Sequence, residues 1–249
     1  MSGSKLLSSL SVSIACYNEV ATVADVIDRS AAVAAEIAQD FRVFVVDDGS
    51  TDGSTELLRD LAKTRPWLIC HHHERNQGFG ATWGRLYRFN ECDYNAIVPG
   101  DAQFPPDQLA LMAQGLREAD VVIGRRITRN DPLRRRLNSQ FYNGLISMVA
   151  GRPIHDVNSI SIARTELVRR FTLDSRSAFI HAEFLLESFR HKGRVIEVEI
   201  AHRERIAGVA SGGKISVIFS CVGELGQYVM RRGMARGRTL ERPAEEPAG

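Results

Sequence analysis

The chain has 249 residues, 44% hydrophobic and 25% charged, with a formal net charge of +2. That composition excludes wholesale disorder, and the small net charge excludes a nucleic-acid binder acting by overall charge. The length suits one large α/β domain or two small ones and is ample for a core without a disulfide or metal staple.

In chain order, Leu10–Cys16 reads as a strand and Val20–Ala38, with apolar residues three and four apart, as a helix. Arg42–Val46 is a buried strand closed by Asp47-Asp48-Gly49-Ser50, and Ser54–Lys63 is the next helix, with Ser54 as its N-cap. Leu68–His72 follows as a strand, Gly80–Asn90 as a helix, and Tyr94–Val98 as a strand stopped by Pro99-Gly100. Pro105-Pro106 opens a helix to about Arg117, as proline at a first turn does. Val121–Ile123 is a strand ended by Gly124. The second half is less regular. Leu133–Ala150 reads as a helix with an Arg-rich start, Ser159–Ala163 as a strand, Ala182–Lys192 as a helix and Val195–His202 as an alternating strand. After a Gly-containing loop, Ile215–Met230 is an amphipathic helix with Ile215, Ile218, Phe219, Val222, Leu225, Val229 and Met230 on one stripe. Residues 1–213 are expected to form the catalytic domain, 214–238 a basic amphipathic helix and 239–249 a disordered tail.

Alternation of strands and helices implies a mainly parallel sheet with helices on both faces, an α/β fold. Ligands on such sheets bind outside the carboxyl ends of the strands. The polar residues closing each strand are therefore the candidates: Tyr17-Asn18-Glu19, Asp47-Asp48, Asp101-Ala102-Gln103 and Arg125-Arg126. Asp101 and Gln103, at i and i+2, offer hard oxygens to Mg²⁺ or Mn²⁺ bridging two phosphates; the alternative is a turn residue or helix cap. Asp47 and Asp48 suit a base nitrogen or ribose hydroxyls, or a turn followed by an N-cap. Asn76-Gln77-Gly78-Phe79-Gly80 does not fit G-x-G-x-x-G, and the first strand–helix turn lacks glycine, which argues against a dinucleotide-binding oxidoreductase.

IACYNEVATV, VVDDGSTDGS, NQGFGAT, PGDAQFPP and GRR, in this order and spacing, resemble the family 2 inverting glycosyltransferases, and among them the dolichyl- and polyprenyl-phosphate sugar synthases. The resemblance covers roughly residues 10 to 214. It implies a glycosyltransferase A-type fold, with Tyr17 and Glu19 against the nucleotide and Asp47 and Asp48 on the base or ribose. Asp101 and Gln103 match the last Asp and the Gln of the family's Asp-Ala-Asp-x-Gln metal motif, whose first Asp is Pro99 here. Arg126 matches a phosphate-side Arg. Asp156, in Asp156-Val157-Asn158-Ser159, matches an Asp near the transferred sugar and acceptor, although Ile160 replaces the family's Gly. Arg205, with Lys214, resembles a loop that folds over the donor and acceptor phosphates; Arg203 competes with Arg205 for that role, and Arg205 is preferred.

The chemistry so implied is an inverting displacement of a nucleoside diphosphate (UDP or GDP). A phosphate acceptor is already ionised and needs cations rather than a base, which suits Arg125, Arg126, Arg134, Arg135, Arg136 and Arg205. For Arg134–Arg136 a solvated helix start is the alternative. Asp156 is the candidate for orienting the reacting group, and Glu183 for a base or an ion-pair partner. The C-terminal helix, followed by Arg231, Arg232, Arg236 and Arg238, suits an interfacial helix on anionic lipid; packing on the catalytic domain, or a homodimer contact, is the alternative. Cys16, Cys70, Cys92 and Cys221 lack C-x-x-C spacing, which argues against zinc or a disulfide framework. With a poor signal sequence and no run approaching ~18 apolar residues, a cytoplasmic enzyme peripheral to the membrane is expected. His71-His72-His73 reads as a strand end, since adjacent strand residues face opposite ways. Trp67 and Trp83 read as packing residues. Two competing functions remain: the same transfer to a soluble hydroxyl acceptor, and a nucleotide-sugar-binding subunit that has lost catalysis.

Overall fold

The computed structural model describes residues 5–89, 91–127, 133–203 and 215–232. Serines and aliphatic residues alternate along β1 (Leu7–Cys16), and both sets are buried: Leu10, Val12 and Ile14 face one side, Ser11 and Ser13 the other. A strand covered on both faces belongs inside a helix-flanked sheet. It pairs in parallel with β2 (Ala38–Asp47) on one side and β4 (Tyr94–Pro99) on the other, and β2 carries β3 (Leu68–His72) at the edge. Beyond β4 lie the antiparallel β6 (Ser161–Arg164), then β5 (Val121–Arg126), then β7 (Val195–Ile200), giving the order β3-β2-β1-β4-β6-β5-β7.

Helices cover both faces. The first core joins Leu10, Val12 and Ile14 to Val23, Val26 and Ile27 of α1 (Val23–Ile37), Leu58 of α2 (Ser54–Thr64) and Leu109 and Met112 of α4 (Gln108–Gly115). The second packs Phe44, Val46 and Ile97 against α3 (Phe79–Arg88), α5 (Leu133–Ala150), α6 (Thr165–Val168), α7 (Ile180–Arg190) and α8 (Ile215–Arg232). Burial of each such aliphatic side chain is worth roughly 1.5–3 kcal/mol, so these two layers hold the strand ends in register.

Four details depart from the sequence reading. Ser54 is the first residue of α2, and Gly53 is its N-cap. Helix α4 begins at Gln108, not at Pro105-Pro106: the prolines accept tight three-residue bonds from Gln108 and Leu109, which set the entry to the helix. β6 runs against its neighbours, so its first residue, and the Asp156–Ser159 loop before it, lie at the carboxyl end of β4 and β5. α8 does not present one apolar stripe. Cys221, Leu225 and Tyr228 are buried in the second core, while Phe219, Val222 and Met230 from the predicted stripe are exposed. Residues 239–249 lie outside the described residues. Cys16, Cys70, Cys92 and Cys221 are free thiols.

Candidate functional site

Six strands end on one edge, and the turns that close them are hydrogen-bonded to one another. Asn18 N donates to Ser50 Oγ (2.9 Å), Thr51 N to Asn18 Oδ1 (2.8 Å) and Glu19 N to Ser54 Oγ (3.1 Å), which ties the turn after β1 to that after β2. Gly100 N donates to Ala15 O and Thr22 Oγ1 to Gly100 O, both at 2.8 Å, which ties in the turn after β4. Asn18 (φ 56°) and Ala102 (φ 58°) are non-glycine residues in the left-handed region. Such residues cost about 1–3 kcal/mol and gather at functional sites; these two sit on adjacent turns of one rim.

The two adjacent aspartates differ. Asp47 has no exposed surface: Ser50 N and Ser50 Oγ donate to its Oδ1, while the Thr55 hydroxyl and His72 Nδ1 occupy Oδ2. Burial pushes its pKa up, but hydrogen bonds from Ser50, Thr55 and His72 outweigh it and hold the carboxyl below the usual range. Asp47 thereby fastens the turn after β2. Asp48 binds His73 Nδ1 (2.7 Å) and receives Gln77 N (2.8 Å) and Gly78 N (3.0 Å), drawing the 73–78 loop to the rim. Gly49 (φ 70°) is required there, since a Cβ would stand 2.6 Å from Arg75 C. The histidine triplet is the strand end that the sequence indicated, and from it His72 and His73 buttress the two aspartates. Tyr17 is 47% exposed at the same rim, while Glu19 is buried.

Asp101 Oδ1 accepts Gln103 N (3.1 Å), and Gln103 O accepts Arg203 N (2.8 Å), so the segment leaving β7 lies against the Asp-Ala-Gln turn. Arg126 and Asp156 form a two-pronged pair, Nε–Oδ2 and Nη2–Oδ1 both at 2.7 Å, with side chains only 11% and 3% exposed. Arg126 also lies 5.6 Å from the centroid of the Phe104 ring, one residue past Gln103. The rim thus gathers Tyr17, Asp48, Asp101, Arg126 and Asp156. Glu183 is fully buried; its Oε2 accepts Asp174 N and Ser175 N, both at 2.9 Å, and burial raises its pKa against the hydrogen bonds from Ser175. Through these two bonds Glu183 fastens the loop before α7. Arg136 is exposed on the first turn of α5, and Arg205 and Lys214 lie outside the described residues. Among the described residues there is no group of three or more His, Cys, Asp or Glu able to hold a metal.

Residues 11–182 match the family model described as Glycosyl transferase family 2, and the chain belongs to that family. It is a glycosyltransferase, as the motif resemblance implied. It is 30% identical over 223 residues to the undecaprenyl-phosphate 4-deoxy-4-formamido-L-arabinose transferase of Edwardsiella ictaluri, covering 88% of this chain and 67% of that protein. The transferase of the same description from Proteus mirabilis is 29% identical over 221 residues, 84% of this chain and 64% of its own length. The chain thus spans about two thirds of the curated relatives it matches. Among solved structures it is similar to the glucosyl-3-phosphoglycerate synthase of Mycobacterium tuberculosis in complex with Mn²⁺, UDP and glucosyl-3-phosphoglycerate, with a TM-score of 0.71 at 17% identity over 91% of this chain and 81% of that one. A structure of the same synthase with Mg²⁺ and UDP gives a TM-score of 0.69 at 16% identity, over 91% of this chain and 80% of that one. These likenesses carry the fold, which is the glycosyltransferase A-type architecture expected from the sequence.

Proposed function

We propose that this chain transfers a sugar, with inversion, from a nucleoside-diphosphate sugar to a polyprenyl phosphate, working at the surface of a membrane. The observation that carries this is the interlocked rim, where Tyr17, Asp48, Asp101 and the Arg126–Asp156 pair share one edge of the sheet. The relatives' names add the acceptor class, since they are undecaprenyl-phosphate transferases.

Tyr17 offers an exposed ring to the base. Asp48, committed to the 73–78 loop, shapes the wall beside it. Asp101 is a single hard carboxylate at the phosphate end, with Pro99 where the family has a second. One carboxylate fits Mg²⁺ or Mn²⁺ when diphosphate oxygens and water complete the shell, as is usual for Mg²⁺. When bound, the ion would neutralise charge on the departing diphosphate. Asp156 serves as the orienting partner of Arg126, whose guanidinium it fixes by both prongs. Arg203, exposed and beside Gln103, is the described cation best placed for an incoming phosphate. An ionised phosphate needs no proton removed, so the burial of Glu183 is no obstacle.

The membrane reading has its own support. Phe219, Val222 and Met230 on α8, and Leu137, Phe141 and Met148 on α5, recur at helical spacing on exposed faces. Arg136 and Arg231 flank these stripes, each worth roughly 1 kcal/mol against an anionic surface. No described helix is long and apolar enough to cross a membrane. The test is transfer of radiolabelled sugar by the purified chain to undecaprenyl phosphate in anionic vesicles. Lipid-linked product, absent with Asp101→Ala, is expected; transfer only to soluble hydroxyl acceptors would refute the acceptor class, and no transfer at all would favour a binding subunit.

A further inference from the structure

His181 lies on the first turn of α7, and nothing in the chemistry above uses it. The residue is 5% exposed, and its ring stands edge-on to Trp83 (centroids 4.3 Å, 70°) and to Phe79 (5.4 Å, 69°). Phe79 stacks on Trp83 at 5.1 Å and is itself 41% exposed. It directly follows Gly78, whose N–H is held by Asp48. A slab of three rings therefore runs inward from the rim between α3 and α7. The close approach is fixed by Gly80, whose N–H donates to Arg176 O (3.1 Å) and where a Cβ would stand 2.3 Å from Arg176 C.

One edge of the imidazole is committed. Nδ1 is 2.8 Å from the Tyr87 hydroxyl. With the phenol as donor, its proton goes to Nδ1. A neutral imidazole accepting at Nδ1 carries its own proton on Nε2, which points away from Tyr87. Among the described residues Nε2 has no hydrogen-bond partner. The charged groups whose fields reach the ring are Arg126 and Asp156, the rim pair. Burial first, and Arg126 second, hold this imidazole down to about 3, so it stays neutral through the physiological range. An anion would call for a cation. A neutral N–H beside aromatic faces suits a sugar, whose hydroxyl accepts and whose C–H face packs on a ring.

We propose that His181 contacts the donor sugar, its Nε2–H donating to a hydroxyl of the pyranose that packs against Phe79. This rests on the nucleotide-sugar reading above. The experiment is calorimetric titration, with Mn²⁺, of UDP and GDP and of the hexose conjugate of whichever binds, into wild type, His181→Phe, His181→Gln and Tyr87→Phe. His181→Phe is expected to bind the nucleoside diphosphate within about twofold of wild type and the conjugate about 3- to 10-fold more weakly, the worth of one neutral hydrogen bond. His181→Gln, which restores a donor amide, recovers part of that loss, and Tyr87→Phe, which releases the tautomer, falls between. Equal weakening of both ligands, or an unchanged conjugate affinity, overturns the proposal. If His181→Phe does not fold, Tyr87→Phe decides: selective loss of the conjugate supports the contact and an unaltered conjugate overturns it. A wild type that binds neither ligand refutes the nucleotide-sugar reading itself and removes the proposal with it.

Discussion

Asp47 and Asp48 are adjacent and chemically identical, and only their surroundings separate them. Asp47 is surrounded by donors from its own turn and from His72, and its folded-state pKa lies below the ordinary carboxylate value. A depressed carboxylate stabilises the fold above its unfolded-state pKa and loses that contribution as pH falls toward the folded value. Acid unfolding followed by circular dichroism should therefore show a limb below the usual carboxylate range that flattens in Asp47→Asn; an unchanged limb would mean that Asp47 does not contribute. Glu183 illustrates the opposite case. The sequence left it open as base or ion-pair partner, because a Glu on a helix near the site looks the same either way, and only burial and two backbone donors separate the roles. Glu183→Gln keeps the accepting oxygen and should retain transfer within a few-fold. Glu183→Ala strands the buried Ser175 N–H and frees the partly buried Asp174 N–H, and should cost about 1–3 kcal/mol in denaturant unfolding. Loss of transfer in a fully stable Glu183→Gln would restore the base assignment.

At the scale of elements, α8 shows where periodicity stops informing. Its residues are apolar around most of the circumference, so a stripe drawn on sequence alone mixed the docked face with the outer one. The inner face is fixed by polar contacts that a hydrophobic pattern does not register. Tyr228 Oη donates to the buried Glu187 Oε1 (2.8 Å), Arg232 pairs with Glu187 Oε2 (2.9 Å), and Glu224 accepts Arg176 N (3.0 Å) and the Ser177 hydroxyl (2.6 Å) just before α7. Of the three roles weighed for this helix, packing belongs to the inner face, and the exposed outer face is where the proposed lipid contact, or a homodimer contact, would have to form. Phe219 and Met230 are 73% and 81% exposed, so the double change Phe219→Glu with Met230→Glu should leave the melting temperature within a degree or two. It should abolish co-sedimentation with anionic vesicles; binding that survives would place the lipid contact elsewhere. The strands behaved differently. β1, β2, β4 and β5 were legible because each is a buried run ended abruptly by polar residues, whereas the antiparallel sense of β6 leaves no mark in four residues.

Across the whole molecule, the sheet order brings together turns that lie some eighty residues apart in sequence, and the motifs named most of the rim because they are the strand-closing residues. What the motifs did not reveal were the buttresses: His72 and His73 behind the aspartates, and the Phe79–Trp83–His181 slab, whose meaning depends on which helix faces which. The direct test of the rim as a nucleotide-sugar site is calorimetric binding of UDP and GDP to the purified chain, with and without Mn²⁺, for wild type and Asp101→Ala. One of the two nucleotides should bind at a single site, more tightly with the metal, and the metal-dependent gain should vanish in Asp101→Ala. Binding of neither nucleotide, or a metal effect that persists without the Asp101 carboxylate, would contradict it.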